Sequence, residues 1–265
     1  MPREYVIGYM NVNFLIANQE TAPLVVGRLA DHVTARGQGL ALHLSNAYTL
    51  TCARSSDAVR EALTKDLSFP DGVPLAKLAR RRASEIGQVY GPQLMRDALA
   101  QTTTSGLRHF LYGGSEETND ALAAHIAETY PDANIVGRMS PPFRAATPAD
   151  RDAAVAALAQ CQAQVIWVGL GTPRQDIECY ELRRMYPGVF IAVGAAFDFL
   201  PGVKRDCPEW IRKLGLQWLH RLLSEPKRLW RRYLVGNTVF IGLALLHGWR
   251  RPKRQSLEDW LAEQS

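Results

Sequence analysis

Asp71 lies in the segment Phe69-Pro70-Asp71-Gly72-Val73-Pro74, where its carboxylate could act as a general base. A general base needs an accessible carboxylate within reach of the hydroxyl group whose proton it removes. The same spacing is also that of an ordinary Pro-Asp-Gly turn, in which the aspartate serves only the turn. The spacing by itself favours the turn and leaves the base as the functional alternative.

Two glycine-rich strings, Gly113-Gly114-Ser115 and Gly169-Leu170-Gly171, each follow a short apolar run. Glycine lets the backbone approach a phosphate group, and the N-terminus of a following helix favours the anion. Neither string is a complete dinucleotide fingerprint, because Arg174 stands where a third glycine would, and the chain has no Walker A string. Ordinary strand-to-helix turns also use glycine, so both readings remain open.

Asp150-Arg151-Asp152 has the spacing of an acidic pair that holds a divalent metal on a sugar nucleotide. It comes directly after Thr147-Pro148, however, where helix capping and the helix dipole also explain the carboxylates. The six His and four Cys are scattered without a metal-binding spacing. We therefore expect no metal site, no cofactor and reduced thiols. No Ser/His/Asp set or nucleophile elbow is present, which disfavours a hydrolase.

Basic and aromatic residues are concentrated near the C-terminus. Between Lys204 and Arg254 there are 13 Lys or Arg and 3 Asp or Glu, a local charge of +10 in a chain whose net charge is +5. Five of the six Trp also follow residue 203. A partner that is anionic and partly apolar fits such a surface: a membrane interface, a phosphate-bearing lipid or a nucleic acid.

Helical spacing after Pro226, which suits the first position of a helix, favours the membrane. One predicted face carries Leu229, Trp230, Tyr233 and Leu234, and another carries Arg228, Arg231 and Arg232. An interfacial helix needs this separation, whereas nucleic-acid binding needs only the charge. A basic helix packed on the core by its apolar face is the alternative.

The apolar run 239–246 is shorter than the roughly 20 residues that span a bilayer. It therefore predicts a segment that lies on the membrane. The first residues show no signal-peptide pattern. The expected location is peripheral, on the cytoplasmic face of the inner membrane.

The elements that must position these residues alternate between strand and helix. Predicted strands are Tyr5–Tyr9, Leu40–Leu44, His109–Tyr112, Ala133–Val136, Val165–Val168 and Val189–Val193. Predicted helices are Ala22–Ala35, Thr49–Lys65, Ala76–Ile86, Glu116–Tyr130, Pro148–Ala159 and Arg174–Tyr186. Such alternation is typical of an α/β fold, here a Rossmann-like parallel sheet covered by helices. We expect an α/β domain over residues 1–203, with an active-site loop in 69–91. The appendage, residues 204–265, is expected to be helical, with no strand after Pro208.

Several strings, in order, resemble signatures of the WecG/TagA/CpsF family of bacterial glycosyltransferases. They are Val168-Gly169-Leu170-Gly171-Thr172-Pro173-Arg174-Gln175-Asp176, Ala195-Ala196-Phe197-Asp198-Phe199-Leu200-Pro201-Gly202, Leu214-Gly215-Leu216-Gln217-Trp218-Leu219-His220-Arg221-Leu222, and Glu225-Pro226-Lys227-Arg228 continuing to Arg232-Tyr233-Leu234. The resemblance covers roughly residues 40–240. Several ordered strings together are far more specific than any one of them.

The resemblance implies an inverting transferase that moves a sugar from a UDP-sugar to a sugar on a polyprenyl diphosphate. It implies that Asp71 is the base and that Gly113, Gly114, Gly169, Gly171 and Gln175 contact the nucleotide. It assigns the acceptor diphosphate to Arg221, Arg228, Arg231 and Arg232. The candidate substrate-binding set also includes Ser45, Asn46, Gly137, Arg138, Pro173 and Asp198. A homo-oligomer is compatible with the sequence.

The sequence departs from the family pattern in its predicted sugar pocket. Leu44 stands where family members often carry Thr, and Ser140-Pro141-Pro142-Phe143 replaces an expected Gly-Tyr-Phe. Asp176 replaces the usual Glu. We therefore place the chain nearest to xanthan- and acetan-type exopolysaccharide glucosyltransferases, which add β-1,4-linked glucose to glucosyl-diphospho-polyprenol. An N-acetylmannosaminyl or mannosaminuronyl transferase is the alternative within the family. A non-catalytic nucleotide- or nucleic-acid-binding module and a peripheral membrane scaffold are the alternatives outside it.

Overall fold

The computed structural model describes residues 4–101, 106–247 and 253–264. Within its helices, eight side chains lie outside the description: Glu209, Lys213, Arg228, Arg231, Arg232, Leu234, Val235 and His247.

The described strands are β1 Tyr5–Tyr9, β2 Val12–Leu15, β3 Leu40–Ser45, β4 Leu67–Pro70, β5 Arg108–Gly113, β6 Asn134–Met139, β7 Val165–Gly169, β8 Val189–Ala192 and β9 Lys253–Ser256. The described helices are α1 Ala22–Arg36, α2 Ala47–Ser55, α3 Asp57–Lys65, α4 Val73–Arg80, α5 Gly91–Gln101, α6 Glu116–Thr129, α7 Pro148–Cys161, α8 Arg174–Arg183, α9 Ala196–Phe199, α10 Glu209–Lys213, α11 Gln217–Ser224, α12 Pro226–His247 and α13 Leu257–Glu263.

The described strands form one sheet in the order β6-β5-β7-β8-β3-β4-β2-β1-β9. The seven strands from β6 to β2 run parallel, and β1 pairs antiparallel with both β2 and β9. The predicted α/β class, a Rossmann-like parallel sheet flanked by helices, is therefore confirmed. From β5 the chain crosses to β6 on one side, whereas from β7 it crosses to β8 on the other side. The direction of the connections therefore reverses between β5 and β7, and a reversal of this kind opens a crevice at the carboxyl ends of the strands.

Alternate residues of the central strands pack on opposite faces of the sheet. In β3, Leu40, Leu42 and Leu44 join the core cluster under α1 and α5, whereas Ala41 joins the cluster under α7 and α8. Because both faces are buried, the strands read as nearly continuous apolar runs. This explains why these strands could be identified from the sequence.

Some predicted helix boundaries are wrong. The helix expected over Thr49–Lys65 is two helices, because the Ser56 side chain caps α3 by accepting from the backbone N–H of Val59 at 3.4 Å. The helix expected over Ala76–Ile86 is α4, which begins at Val73 and ends at Arg80.

The appendage is not entirely helical, so the expectation that no strand follows Pro208 is wrong. β9 pairs with the outer edge of β1. The next helix, α13, then buries Leu257, Trp260 and Leu261 in the main core. Residues 253–264 therefore complete the sheet and its packing.

The long helix α12 packs against α2. Gly236 lies at this contact, where a Cβ would be 3.7 Å from the Cα of Tyr48, an ordinary van der Waals distance. The Thr51 hydroxyl donates to the Gly236 carbonyl at 3.3 Å, and Phe240 and Leu243 are buried in the core cluster on this side of the sheet. In the part of the chain that the structure describes, no helix is both long and apolar enough to cross a membrane.

Candidate active site

Asn46 and Asp71, two predicted site residues, meet at the ends of neighbouring strands. β3 and β4 run parallel with Ser45 opposite Pro70, so the next residue of each strand leaves the sheet side by side. The backbone N–H of Asp71 donates to the Ser45 carbonyl at 2.9 Å. The Asn46 side-chain amide donates to Asp71 Oδ2 at 3.5 Å. Strand register thus brings the amide and the carboxylate together.

Asn46 is oriented by the helix that it caps. Its Oδ1 accepts from the backbone N–H groups of Tyr48 at 3.0 Å and Thr49 at 3.3 Å. An N-cap oxygen satisfies N–H groups that have no partner inside the helix. Because Oδ1 is used by the cap, the Nδ2 donor is the atom that faces Asp71.

The loop that carries Asp71 is braced from residues 88–90. The Gln88 side-chain amide donates to the Asp71 carbonyl. The backbone N–H of Val89 donates to the Pro70 carbonyl at 2.9 Å. The loop backbone is thereby fixed, and the Asp71 side chain is half-buried.

Arg221 of α11 brings a positive charge to this carboxylate. Its guanidinium carbon lies 5.0 Å from the centre of the Phe199 ring. Burial lowers the pKa of Arg221, but the acidic groups around it outweigh burial and raise that pKa overall; they are Tyr90, Asp71, Tyr233 and Asp206. A permanently charged, stacked guanidinium is suited to bind phosphate oxygens.

Tyr90 and Asp206 join the start of the appendage to the α/β body. The Tyr90 hydroxyl donates to Asp206 Oδ1, and Arg96 lies 3.6 Å from the other carboxylate oxygen. The guanidinium of Arg212, on α10, lies 5.2 Å from the centre of the Tyr90 ring. Burial and the neighbouring carboxylate raise the pKa of Tyr90, which keeps its hydroxyl a donor.

Asp198 lies at the same edge, in α9. Its carboxylate is 3.0 Å from the ammonium of Lys204, which is also 3.6 Å from the carboxylate of Glu225. Glu225 directly precedes α12. Lys204 therefore connects a predicted substrate-binding residue to the start of the long appendage helix.

The two glycine-rich turns pack directly on each other. The backbone N–H of Gly114 donates to the Gly169 carbonyl at 3.1 Å. A Cβ at Gly113 would lie 2.6 Å from that carbonyl oxygen, and a Cβ at Gly169 would lie 2.4 Å from the Phe197 ring. Gly113 and Gly114 also have positive φ angles of 142° and 67°. Close packing of the turns therefore requires glycine before any ligand is considered.

Gln175 holds the second turn in place. Its Oε1 accepts from the backbone N–H of Gly171 at 3.0 Å, and its Nε2 donates to the Ala192 carbonyl at 3.2 Å. The side chain is 5% exposed. Pro173 stands at the N-cap of α8 after a cis peptide bond. In this structure Gln175 braces the turn, and contact with a nucleotide stays a prediction.

Two of the predicted site residues, Gly137 and Arg138, lie away from this group, whereas Ser45 contributes its backbone carbonyl to it. Ser45 is fully buried, and its hydroxyl is 3.0 Å from that of Ser68. Gly137 and Arg138 lie in β6, the outermost strand, where Arg138 pairs with Asp120 of α6. Four strand spacings of about 4.8 Å separate β6 from β3. The structure therefore does not bring Gly137 and Arg138 to Asp71.

The structure describes only the backbone of the remaining predicted arginines, which lie in α12: Arg228, Arg231 and Arg232. Their side chains lie outside the description.

Gln88, Tyr90, Arg96 and Asp206 were not identified as site residues from the sequence. A weak signal exists for Tyr90, because it lies in the irregular segment 69–91 and directly precedes Gly91-Pro92 at the start of α5. Asp206 has no comparable signal, since its partner is 116 positions away.

The capping explanation of Asp150 is confirmed. Its carboxylate accepts from the Thr147 backbone N–H at 2.7 Å, while the Thr147 hydroxyl accepts from the Asp150 N–H at 3.3 Å. The hydrogen bond from Arg144 is the main cause that lowers the pKa of Asp150. Within the described ranges, no group of three or more His, Cys, Asp or Glu side chains is arranged to hold a metal ion.

The family model described as Glycosyl transferase WecG/TagA/CpsF family matches residues 10–254. The chain belongs to this family. It is therefore a glycosyltransferase, and family membership implies sugar transfer in cell-surface polysaccharide synthesis. A WecG/TagA/CpsF glycosyltransferase uses, in general terms, a nucleotide-sugar donor and a lipid-linked acceptor.

Proposed function

We propose that this glycosyltransferase inverts the anomeric carbon as it moves a hexose from a UDP-sugar to a sugar-diphospho-polyprenol. The observation that supports this most directly is the Asp71 carboxylate, which accepts from Asn46 on one side and interacts electrostatically with Arg221 on the other. A base next to a phosphate-binding cation matches an acceptor hydroxyl that is linked to a diphosphate.

In the proposed reaction, Asp71 accepts the proton of the acceptor hydroxyl while the hydroxyl oxygen attacks the anomeric carbon of the donor. The bond from that carbon to the β-phosphate oxygen breaks, and UDP leaves with the electron pair. One displacement of this kind inverts the anomeric configuration. Asn46 would hold Asp71 in the required orientation, as a hydrogen-bond donor that also stabilises the carboxylate.

The charge on the departing UDP would be met by the turns at the carboxyl edge. The N-termini of α6 and α8 follow the two glycine-rich turns, and helix N-termini favour anions. Arg221 would bind the acceptor diphosphate, because a guanidinium fork matches phosphate geometry. In this proposal Arg228, Arg231 and Arg232 would extend the same basic surface.

We further propose glucose as the transferred sugar, in a β-1,4 linkage, as in exopolysaccharide synthesis. Leu44 supports a donor other than N-acetylmannosamine, since it is buried in the core and puts no hydroxyl beside Asn46. A Cβ at Gly91 would lie 2.7 Å from Cδ1 of Leu44, so the Leu44 side chain packs tightly against the backbone at Gly91. An N-acetylmannosamine or mannosaminuronic acid donor is the alternative.

The proposed location is peripheral, on the cytoplasmic face of the inner membrane. Ten of the thirteen exposed large apolar side chains in the described part of the chain lie within 203–246. They include Leu223, Trp230, Leu245 and Leu246, in a segment that carries nine Lys or Arg and only three Asp or Glu. Apolar side chains among cations suit the boundary between headgroups and acyl chains.

The decisive experiment is a transfer assay with radiolabelled UDP-glucose or UDP-N-acetylmannosamine, a glucosyl-diphospho-polyprenol acceptor and EDTA. Asp71→Asn keeps the shape of the side chain and removes the base, so we expect kcat to fall about a thousandfold with little change in KM. Asp152→Asn is the matched control, because its carboxylate is exposed on α7 and should be dispensable.

Each outcome is informative. Transfer from UDP-glucose that Asp71→Asn abolishes supports the proposal. Transfer from UDP-N-acetylmannosamine but not from UDP-glucose supports the proposed type of reaction and contradicts glucose as the transferred sugar. Full activity of Asp71→Asn contradicts the role of the base. Vesicle binding without transfer from either donor contradicts the proposed reaction and favours another acceptor or a scaffold.

Membrane binding has its own control. Leu245→Ser with Leu246→Ser should release the protein from anionic vesicles in a sedimentation assay. Phe143→Ser should not, because Phe143 is fully exposed but lies outside the appendage.

A further inference from the structure

A charged cluster is buried beneath the candidate active site, on the face of the sheet that α3 and α8 cover. His43 in β3 lies between two carboxylates: Nδ1 is 3.0 Å from Asp176 Oδ1 and Nε2 is 3.5 Å from Asp66 Oδ2. Arg183, at the end of α8, pairs with the other oxygen of Asp66. His43, Asp66 and Asp176 are at most 1% exposed.

The composition of this cluster indicates the charge on the imidazole. With both carboxylates ionised and one guanidinium present, the cluster is neutral only if His43 carries a proton on both ring nitrogens. Burial raises the pKa of Asp66, and the hydrogen bond and charge of His43 and the charge of Arg183 act against that rise. A buried charge without a partner is far more costly than a balanced set. The geometry agrees, because each ring nitrogen faces a carboxylate oxygen and each can then donate.

The cluster acts on the first turn of α8. Asp176 immediately follows Gln175, whose amide bonds to Gly171 and Ala192 hold the glycine-rich turn. The first turn of α8 is therefore attached to β8 through Gln175 and to β3 through Asp176. Arg183 attaches the other end of the same helix to Asp66.

We propose that His43 is a positioning residue for the glycine-rich turn 169–173. As an imidazolium between Asp66 and Asp176, it fixes the first turn of α8 and thereby the backbone N–H groups that would meet the donor diphosphate. The role in donor binding rests on the proposed function, whereas the mechanical role does not.

A second buried histidine provides a matched control. His109 in β5 is also fully buried, on the opposite face of the sheet, where its Nδ1 accepts from Trp167 Nε1 at 3.2 Å. It has no carboxylate partner among the described residues, and burial lowers its pKa to about 4, so it is neutral. His109→Gln removes a buried imidazole of the same size without touching α8.

Two substitutions of His43 separate its two contacts. The amide nitrogen of His43→Asn falls near the position of Nδ1 and keeps a donor for Asp176. The amide nitrogen of His43→Gln falls near Nε2 and keeps a donor only for Asp66. If the bond to Asp176 positions the turn, His43→Gln should loosen it more than His43→Asn does.

The first measurement is hydrogen–deuterium exchange of the folded variants. In His43→Gln we expect exchange in residues 170–177 to rise about tenfold over that in His109→Gln, with an intermediate value for His43→Asn. The second is calorimetry with UDP as the probe, where we expect the dissociation constant of His43→Gln to rise about tenfold over that of His109→Gln. The third is the imidazole nitrogen spectrum of the unmodified protein above pH 6.5, where His43 should show two N–H signals.

Exchange in residues 170–177 that is no faster in His43→Gln than in His109→Gln would overturn the proposal. A neutral His43 imidazole in the spectrum would also overturn it, even if no His43 variant folds. If the unmodified protein does not bind UDP, the proposed function fails, and the exchange comparison still tests whether His43 positions the turn.

Discussion

This protein should lose stability as the pH rises above neutrality, and His43→Asn should abolish most of that loss. Burial lowers the pKa of His43, but hydrogen bonds and charges from Asp176 and Asp66 outweigh it and raise the pKa from 6.5 to about 9. A group whose pKa is raised by folding stabilises the folded state fully below its unfolded pKa. That contribution then disappears as the pH rises through the folded pKa.

The structure gives the size of the effect. Because His43 is fully buried, its whole pKa shift counts towards stability. At about 1.4 kcal/mol per pKa unit, the contribution is about 3 kcal/mol, and about 2 kcal/mol of it is lost between pH 6.5 and roughly 8.5. Domains of this kind are stable by about 5–15 kcal/mol, so the loss is readily measured.

The assay is urea unfolding followed by tryptophan fluorescence at a series of pH values. The series should end near pH 8.5, since burial raises the pKa of the Cys179 thiol well above 9 and adds a separate alkaline loss at higher pH. His109→Gln is the control of opposite sign. Burial lowers the pKa of His109 to about 4, so its contribution is present above pH 6.5 and is lost as the pH falls towards 4.

His43→Asn should therefore flatten the alkaline side of the stability profile, and His109→Gln should change only the acidic side. An alkaline slope that is the same in His43→Asn and in the unmodified protein would refute the reasoning, because it would mean that the imidazole does not carry the charge that balances the cluster.

Three further changes test other parts of the structure. Arg221→Lys should lower kcat/KM for the lipid-linked acceptor about tenfold in steady-state kinetics, because an ammonium lacks the planar fork that pairs with phosphate oxygens. Tyr90→Phe removes the hydrogen-bond donor to Asp206 and should lower the free energy of unfolding by about 1–3 kcal/mol. It should also speed limited proteolysis of the appendage about tenfold. An unchanged rate of cleavage would mean that this hydrogen bond does not fix the appendage to the α/β body. Gly113→Ala should cost about 2 kcal/mol or more in thermal unfolding, because the new methyl group would meet the Gly169 carbonyl.

Apolar patterning was sufficient to predict the buried centre of the fold. β3, β5, β7 and β8 are covered on both faces, so their sequences are short apolar runs that turn residues interrupt. The N-cap of α7 was also correctly explained, because Thr147 and Asp150 act within one helical turn. Local signals of this kind need no knowledge of the rest of the chain.

Elements that depend on distant partners were missed. β9 has the sequence Lys253-Arg254-Gln255-Ser256, which has no strand-like apolar pattern. It is a strand because the edge of β1 offers unpaired backbone groups, and these are satisfied by any chain that lies beside them. The break between α2 and α3 was missed because Ser56 serves as a cap in the middle of an otherwise helical pattern.

The sequence by itself determined the α/β class, the family and the presence of Asp71, the glycine-rich turns and Arg221, because each depends on residue types within a short window. Only the tertiary structure decided which of them meet. Strand register sets Asn46 beside Asp71, and the return of the appendage brings Arg221 into electrostatic interaction with that carboxylate. Packing of α8 on β3 closes the cluster around His43, whose partner Asp176 is 133 positions away in the chain. Contacts between distant residues follow from how whole elements pack, and no local pattern specifies them.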